Sequence, residues 1–198
     1  MGAALTLERS GSNLNGAERE EIVTYLAENA RKLDEMLRDL LDLDRLARGA
    51  EELHRERTDV GELVRHIVAE IDADGHNVDV DAEPISVALD VTKVRRMVEN
   101  LVTNAIKHTP AGARVWVRAG AEPDGLLIVV DDDGRGVPEH LKQAIFEPFR
   151  LGTEGHHAPG TGIGLALVRR LAELHGGRAW VEDRTEGGAS FRILLPPT

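Results

Sequence analysis

No cysteine occurs among the 198 residues, which excludes disulfides and thiolate metal sites. Aromatic residues are nearly as scarce, at 3%, so the core must be built from Leu, Val, Ile and Ala. No run approaches the roughly 18 to 20 consecutive apolar residues that a membrane span requires. The N-terminus also lacks the basic-then-apolar pattern of a secretory leader, so a cytoplasmic chain without membrane contact is expected. An excess of basic charge is missing as well. With 24 Lys and Arg against 35 Asp and Glu, the formal net charge is -11, which argues against a nucleic-acid partner. It does not exclude a nucleotide, because helix dipoles and a metal ion can neutralise a triphosphate inside an acidic protein.

What is present, 41% hydrophobic and 30% charged residues, matches a soluble globular chain. The length suits one ordinary domain with an appendage. Residues 1–15 read as a helix end followed by a turn rich in Ser, Gly and Asn. From about Gly16 to Arg48 the pattern is helical, with Val23, Leu26, Ala30, Leu33, Leu37 and Leu40 forming a heptad seam. Met36, Leu41, Leu43 and Leu46 widen the stripe, as in a helical bundle or a helix lying on its own domain's core.

After "ARGAEE" the chain alternates helical and strand-like segments. Helices are predicted over 60–73, 91–108 and 161–175, with a shorter one near 138–144. Strands are predicted at "HNVDVDA", "ISVAL", "RVWVRAG", "GLLIVVDDD", "RAWVED" and "SFRILLP". The expected fold class is α+β: a two-layer sandwich whose sheet has one face covered by helices and one more open.

Four segments carry chemistry. In "VENLVTNAIKHTP", Asn100 and Asn104 lie four apart on one helix face, an unusual mid-helix investment in amides. An amide oxygen suits Mg²⁺, which takes few protein ligands and completes its shell with substrate phosphates. Lys107, one turn on, can meet a phosphate as a point charge. In "VVDDDGRGVP", Asp132 can accept a hydrogen bond from an exocyclic amine, and Gly134 and Gly136 let a flat base approach the backbone. "IFEPFR" places Phe146 and Phe149 as a hinge, with Arg150 facing a phosphate. "APGTGIGL" sets Gly160, Gly162 and Gly164 at a helix start, where backbone N–H groups and the dipole favour an anion. This turn is neither a Walker loop nor the dinucleotide fingerprint. Taken alone, each segment also has an ordinary reading: satisfied amides, a turn after a strand, satellite core, a flexible loop before a helix.

In this order and spacing the segments resemble the N box, first glycine box, F box and second glycine box of bacterial sensor histidine kinases, and "EGGASFRILLP" is similar to their closing glycine segment. The resemblance implies the Bergerat fold of the GHKL class, with a mixed, mostly antiparallel sheet covered by helices. It implies a catalytic ATP-binding domain over 53–198, preceded over 1–52 by part of a helical dimerisation and phosphotransfer hairpin. Function would be that of a two-component kinase core: Mg²⁺-dependent transfer of the γ-phosphoryl group of ATP to a histidine, in a phosphorelay to the receiver-domain aspartate of a response regulator. The protein would act as a homodimer through the N-terminal helix.

By the same resemblance Asn104 would be the Mg²⁺ ligand, with Asn100, Lys107 and Arg150 in catalytic positions near the phosphates. His108 would flank the nucleotide and Asp132 would recognise the adenine amino group. Gly134 and Gly136 would shape the base pocket, and Gly160, Thr161, Gly162, Ile163, Gly164 and Leu165 the lid and phosphate turn. Gyrase-like relatives carry a water-activating Glu at the position of Asn100. An amide cannot serve as that base, so ATP should be held for transfer rather than hydrolysed. Two alternatives stay open: a non-catalytic nucleotide-sensing module, and a protein-serine kinase of the anti-sigma type.

The pattern departs from the family at the acceptor. No histidine precedes His54, and none of the eight sits in a His-Glu-x-x-Arg-type context. The expectation is a chain that begins after the acceptor and does not phosphorylate itself.

Overall fold

The structure, a computed structural model, describes residues 15–49, 51–150 and 162–197. The expected helix end before Asn15, the lid histidines His156 and His157, and the proposed ligand-binding Gly160 and Thr161 lie outside them.

Helix α1 (Gly16–Ala47) starts on a reciprocal cap. Glu18 N donates to Asn15 Oδ1, and Asn15 N donates to Glu18 Oε2, each at 2.9 Å. The chain forms two compact units, one ending at Leu41 and the other beginning at Asp42. In the first unit Val23, Tyr25, Leu33, Leu37, Leu40 and Leu41 are exposed. In the second, Leu43 is buried and Leu46 packs against the core, so the stripe changes its role along one helix.

The second unit holds two sheets. β1 (Glu56–Asp59) and β3 (Ser86–Leu89) form a separate antiparallel ribbon. The main sheet has five strands in the order β2-β4-β5-β7-β6, from β2 (Asn77–Ala82), β4 (Arg114–Glu122), β5 (Gly125–Asp132), β6 (Arg178–Asp183) and β7 (Ala189–Leu195). β2 and β4 are parallel and the other pairs antiparallel. A parallel pair needs a crossover, and α3 (Val91–His108) supplies it. With α2 (Val60–Glu70) and α4 (Gly164–Leu174), α3 completes the helical layer.

Alternation in the strands divides their two faces. Val115 and Val117 of β4, Ile128 and Val130 of β5, and Phe191 and Ile193 of β7 are buried in one aliphatic core with Val64, Met97, Leu101 and Leu167 of the helices. On the other face Arg118 pairs with Asp131, and the Arg184 guanidinium lies 4.2 Å from the centre of the Trp116 ring.

The observed elements follow the sequence expectation closely, with four differences, one being that α2 ends at Glu70 rather than at 73. Strand β1 was not expected: "ERTD" has no apolar alternation and is a strand only because β3 pairs with it. The short helix near 138–144 is instead two 3₁₀ turns, Glu139–Leu141 and Ala144–Phe146. Helix α4 begins at Gly164, not at 161.

The segment joining α1 to this domain is pinned at both helices of the site. Asp90, buried at the N-cap of α3, accepts from Lys93 N at 3.1 Å and from His54 N at 3.0 Å. Lys93 Nζ also lies 3.1 Å from Glu51. Burial pushes the Asp90 carboxyl up, but the two backbone N–H groups and the Lys93 ammonium together hold it below its ordinary value. Arg55 Nη2 reaches the carbonyl of His175, the C-cap of α4, at 3.5 Å.

Candidate nucleotide site

Three pieces of the domain converge: the second half of α3, the turn after β5, and the start of α4. Helical phasing sets Asn100, Asn104, Lys107 and His108 along one side of α3. The two amides differ in what they do. Asn100 Nδ2 donates to the Arg96 carbonyl at 2.8 Å. Its Oδ1 sits so close to Gly164 that a Cβ there would overlap it. Asn100 therefore seats the start of α4 against α3. Asn104 is half-buried, and its amide has no hydrogen bond among the described residues. Lys107 is exposed and has no ion pair among the described residues. Desolvation lowers the His108 imidazole below its ordinary value, against the pull of the Asp132 carboxylate.

Asp132 closes β5 opposite Val115, so its side chain points into the helical layer, where it is buried. Both of its hydrogen bonds fall on Oδ1, from Gly134 N at 2.9 Å and Ala189 N at 3.4 Å. Among the described residues Oδ2 takes none, so it is available to an incoming donor. Burial raises this carboxyl above its ordinary value, with the two N–H groups and Arg184 opposing.

Gly134 lies between Asp132 and the end of α3. A Cβ on it would stand 2.8 Å from both Asp132 Oδ1 and Thr109 Cγ2. Gly136 has φ +72, and a Cβ there would meet the Gly188 carbonyl at 3.1 Å. Both glycines are fixed by close approach. They keep open a floor that any side chain would fill.

The third piece begins where Phe149 N donates to the Gly162 carbonyl at 2.8 Å. This bond joins the two residues that flank 150–161. Gly162 takes φ +67 and would press a Cβ to within 3.1 Å of Arg150 N. The two phenylalanines of the expected hinge part company. Phe146 is buried in the core, whereas Phe149 is 64% exposed with φ 62. The Arg150 guanidinium is held 3.1 Å from Glu147. Ile163 precedes α4 without a side-chain cap, so among the described residues no side chain caps the positive end of the helix dipole. The Ile163 side chain is buried and Leu165 packs against the core. What either offers a ligand is backbone.

Sequence reasoning missed Arg184 and Thr109. Arg184 donates to the Asp132 carbonyl at 3.1 Å and to the Gly187 carbonyl at 3.2 Å, clamping the β6–β7 turn over the Asp132 turn. No local signal marks an arginine of this kind. Thr109 directly follows His108 at the end of α3, but its role appears only when the β5 turn packs on it.

The donor set also bears on a metal. Among the described residues no group of three or more Asp, Glu or His side chains could hold an ion unaided. A single uncommitted amide, Asn104, fits Mg²⁺ that takes most of its shell from water and phosphate.

The sequence from 89 to 198 matches the model of the "Histidine kinase-, DNA gyrase B-, and HSP90-like ATPase" family, and the chain belongs to that family. Within it the similarity points to the catalytic ATP-binding domains of histidine kinases, with the fold expected of them. The chain is 35% identical to hybrid signal transduction histidine kinase D of Dictyostelium discoideum over 97% of its own length and 13% of that protein. It is 38% identical to the sensor histidine kinase TmoS of Ectopseudomonas mendocina over 85% of its length and 18% of that protein. The crystal structure of full-length ShkA in complex with AMPPNP superposes with a TM-score of 0.77 at 26% identity, over 99% of this chain and 42% of that one. The chain thus spans less than half of each of these relatives.

Proposed function

We propose that this chain is the kinase core of a two-component sensor histidine kinase, with a helical dimerisation segment over 1–52 and a catalytic domain over 53–198. It binds Mg·ATP and passes the γ-phosphoryl group to a histidine imidazole, from which a response-regulator aspartate takes it. It works as a homodimer through α1. One observation carries the reading: through Gly134 the buried Asp132 carboxylate abuts the end of α3, while Asn100 seats the uncapped start of α4 on the same helix. A base-recognition group and a phosphate-facing helix end thus share one scaffold.

In this reading Asp132 Oδ2 accepts from the adenine amino group, and Gly134 and Gly136 admit the ring plane. Asn104 holds Mg²⁺, which neutralises charge on the phosphates when bound. Lys107 and the leading amides of α4 face the phosphate chain, and catalysis is chiefly positioning and charge stabilisation. Arg150 joins them once it leaves Glu147. Among the described residues, neither of the two at or beside the position of the gyrase-like base is suited to activate water. Asn100 is no base, and the neighbouring carboxylate of Glu99 lies 3.7 Å from the Arg95 guanidinium, paired rather than free.

The test supplies γ-labelled ATP to the chain together with a separate hairpin segment bearing an acceptor histidine. Acid-labile label on that segment is the expected result. ATP binding with no transfer would leave a nucleotide-sensing module, and acid-stable phosphoserine on a partner would indicate a serine kinase instead.

A further inference from the structure

Strand β2 is an edge of the main sheet, and that edge is built to accept another strand. Asn77 N donates to the Ala113 carbonyl at 3.2 Å and Glu83 N to the Ala119 carbonyl at 2.9 Å. In the parallel pairing with β4, the odd-numbered residues therefore turn their backbone groups inward, and Val78, Val80 and Ala82 turn theirs outward. Among the described residues one partner is found on that outer row: Arg65 Nη1, which donates to the Ala82 carbonyl at 2.8 Å. The N–H and C=O groups of Val78 and Val80 stay open.

Alongside this row runs a groove of about 430 Å³ between β2 and α2. Its apolar lining includes Val68 and Ile71 from the α2 side, Val78 and Val80 of β2, and Val102 of α3. Arg65 stands at one end. Four acidic residues flank it: Asp79 and Asp81 are exposed on the opposite face of β2, in register with Trp116 and with Arg118, itself paired with Asp131, and Asp72 and Asp74 are exposed beyond α2. None of these residues belongs to the nucleotide site.

From this we infer that the β2 edge and its groove form a docking site for an extended segment of another protein, one that alternates apolar and basic residues. The segment adds a sixth strand through Val78 and Val80. Its apolar side chains enter the groove, and its intervening Lys or Arg side chains lie beside Asp79 and Asp81. Charge selects this occupant. A second copy of the chain would set Asp79 and Asp81 against the same residues of its partner, and directly opposed like charges disfavour pairing.

The experiment titrates a short blocked peptide of alternating lysine and valine into the isotopically labelled full chain, read by amide chemical shifts. The expected shifts centre on Val78, Val80, Val68 and Ile71, and the amide exchange of Val80 slows. A glutamate–valine counterpart leaves the spectrum unchanged. The double variant Asp79→Asn/Asp81→Asn weakens binding by about fivefold. Val78→Pro, which removes an outward N–H that the sheet does not use, abolishes binding; prolines are tolerated at such edge positions. Should that variant misfold, the Val80 exchange in the unaltered chain still decides the matter. No β2 shifts at saturating peptide, equal binding of the acidic peptide, or unchanged affinity in the double aspartate variant would each overturn the proposal.

Discussion

At the scale of single residues, the site separates groups committed to the fold from groups held in reserve. Asn100 is committed at both ends of its amide, whereas Asn104 is not. Asn104→Ala should therefore weaken Mg²⁺-dependent ATP binding by about ten- to a hundredfold and leave metal-free binding nearly unchanged, as titration calorimetry with and without Mg²⁺ can check. Asp132 carries a pH signature. Its folded-state value is raised by burial, so between its ordinary value and the raised one the folded chain binds more protons than the unfolded chain. Its contribution to stability consequently falls as pH rises through that window. Nucleotide binding runs the other way, strengthening over the same window as the acceptor ionises. Asp132→Asn should abolish both trends and cost about ten- to a hundredfold in ATP affinity. Thermal melts and binding measured across the acidic range test this.

At the scale of elements, α3 and α4 meet through a glycine. Gly164→Ala favours helix intrinsically but drives a methyl into Asn100 Oδ1. It should destabilise the domain by about 1–3 kcal/mol in denaturant titration, the usual range for an overfilled contact. That pairing also marks how far the sequence could be read. Helix α3 was legible to its ends, because its apolar period is unbroken from Val94 to Ile106. The strands β4 to β7 were legible by alternation. β1 was not, since its strand character resides in β3. The residues of the site were legible as types, amide, carboxylate and glycine, because each type limits the chemistry. Their division of labour was not. Whether an asparagine binds a metal or braces a neighbouring helix depends on what stands opposite, and Gly164 stands some sixty residues along the chain from Asn100. Arg184 escaped notice for the same reason: an arginine is anonymous until its carbonyl partners arrive.

At the scale of the whole molecule, α1 presents Val23, Leu33, Leu37 and Leu40 to solvent at heptad spacing in the first unit. A homodimer that covers this seam should be lost in Leu37→Asp, read as a shift to monomer in light scattering. ATP affinity should stay within about twofold, because the substitution lies in a separate unit from the site. The linker that follows has a mechanical consequence. It grips the first turn of α3 through Asp90 and Lys93, and the C-cap carbonyl of α4 through Arg55. The groups proposed to meet the nucleotide lie toward the opposite ends of both helices. α3, with 18 residues, is about 27 Å long, and α4, with 11, about 16 Å. A tug on the linker would therefore enter at the far ends of two stiff rods joined near Gly164, and would reach the proposed nucleotide groups as a leveraged tilt.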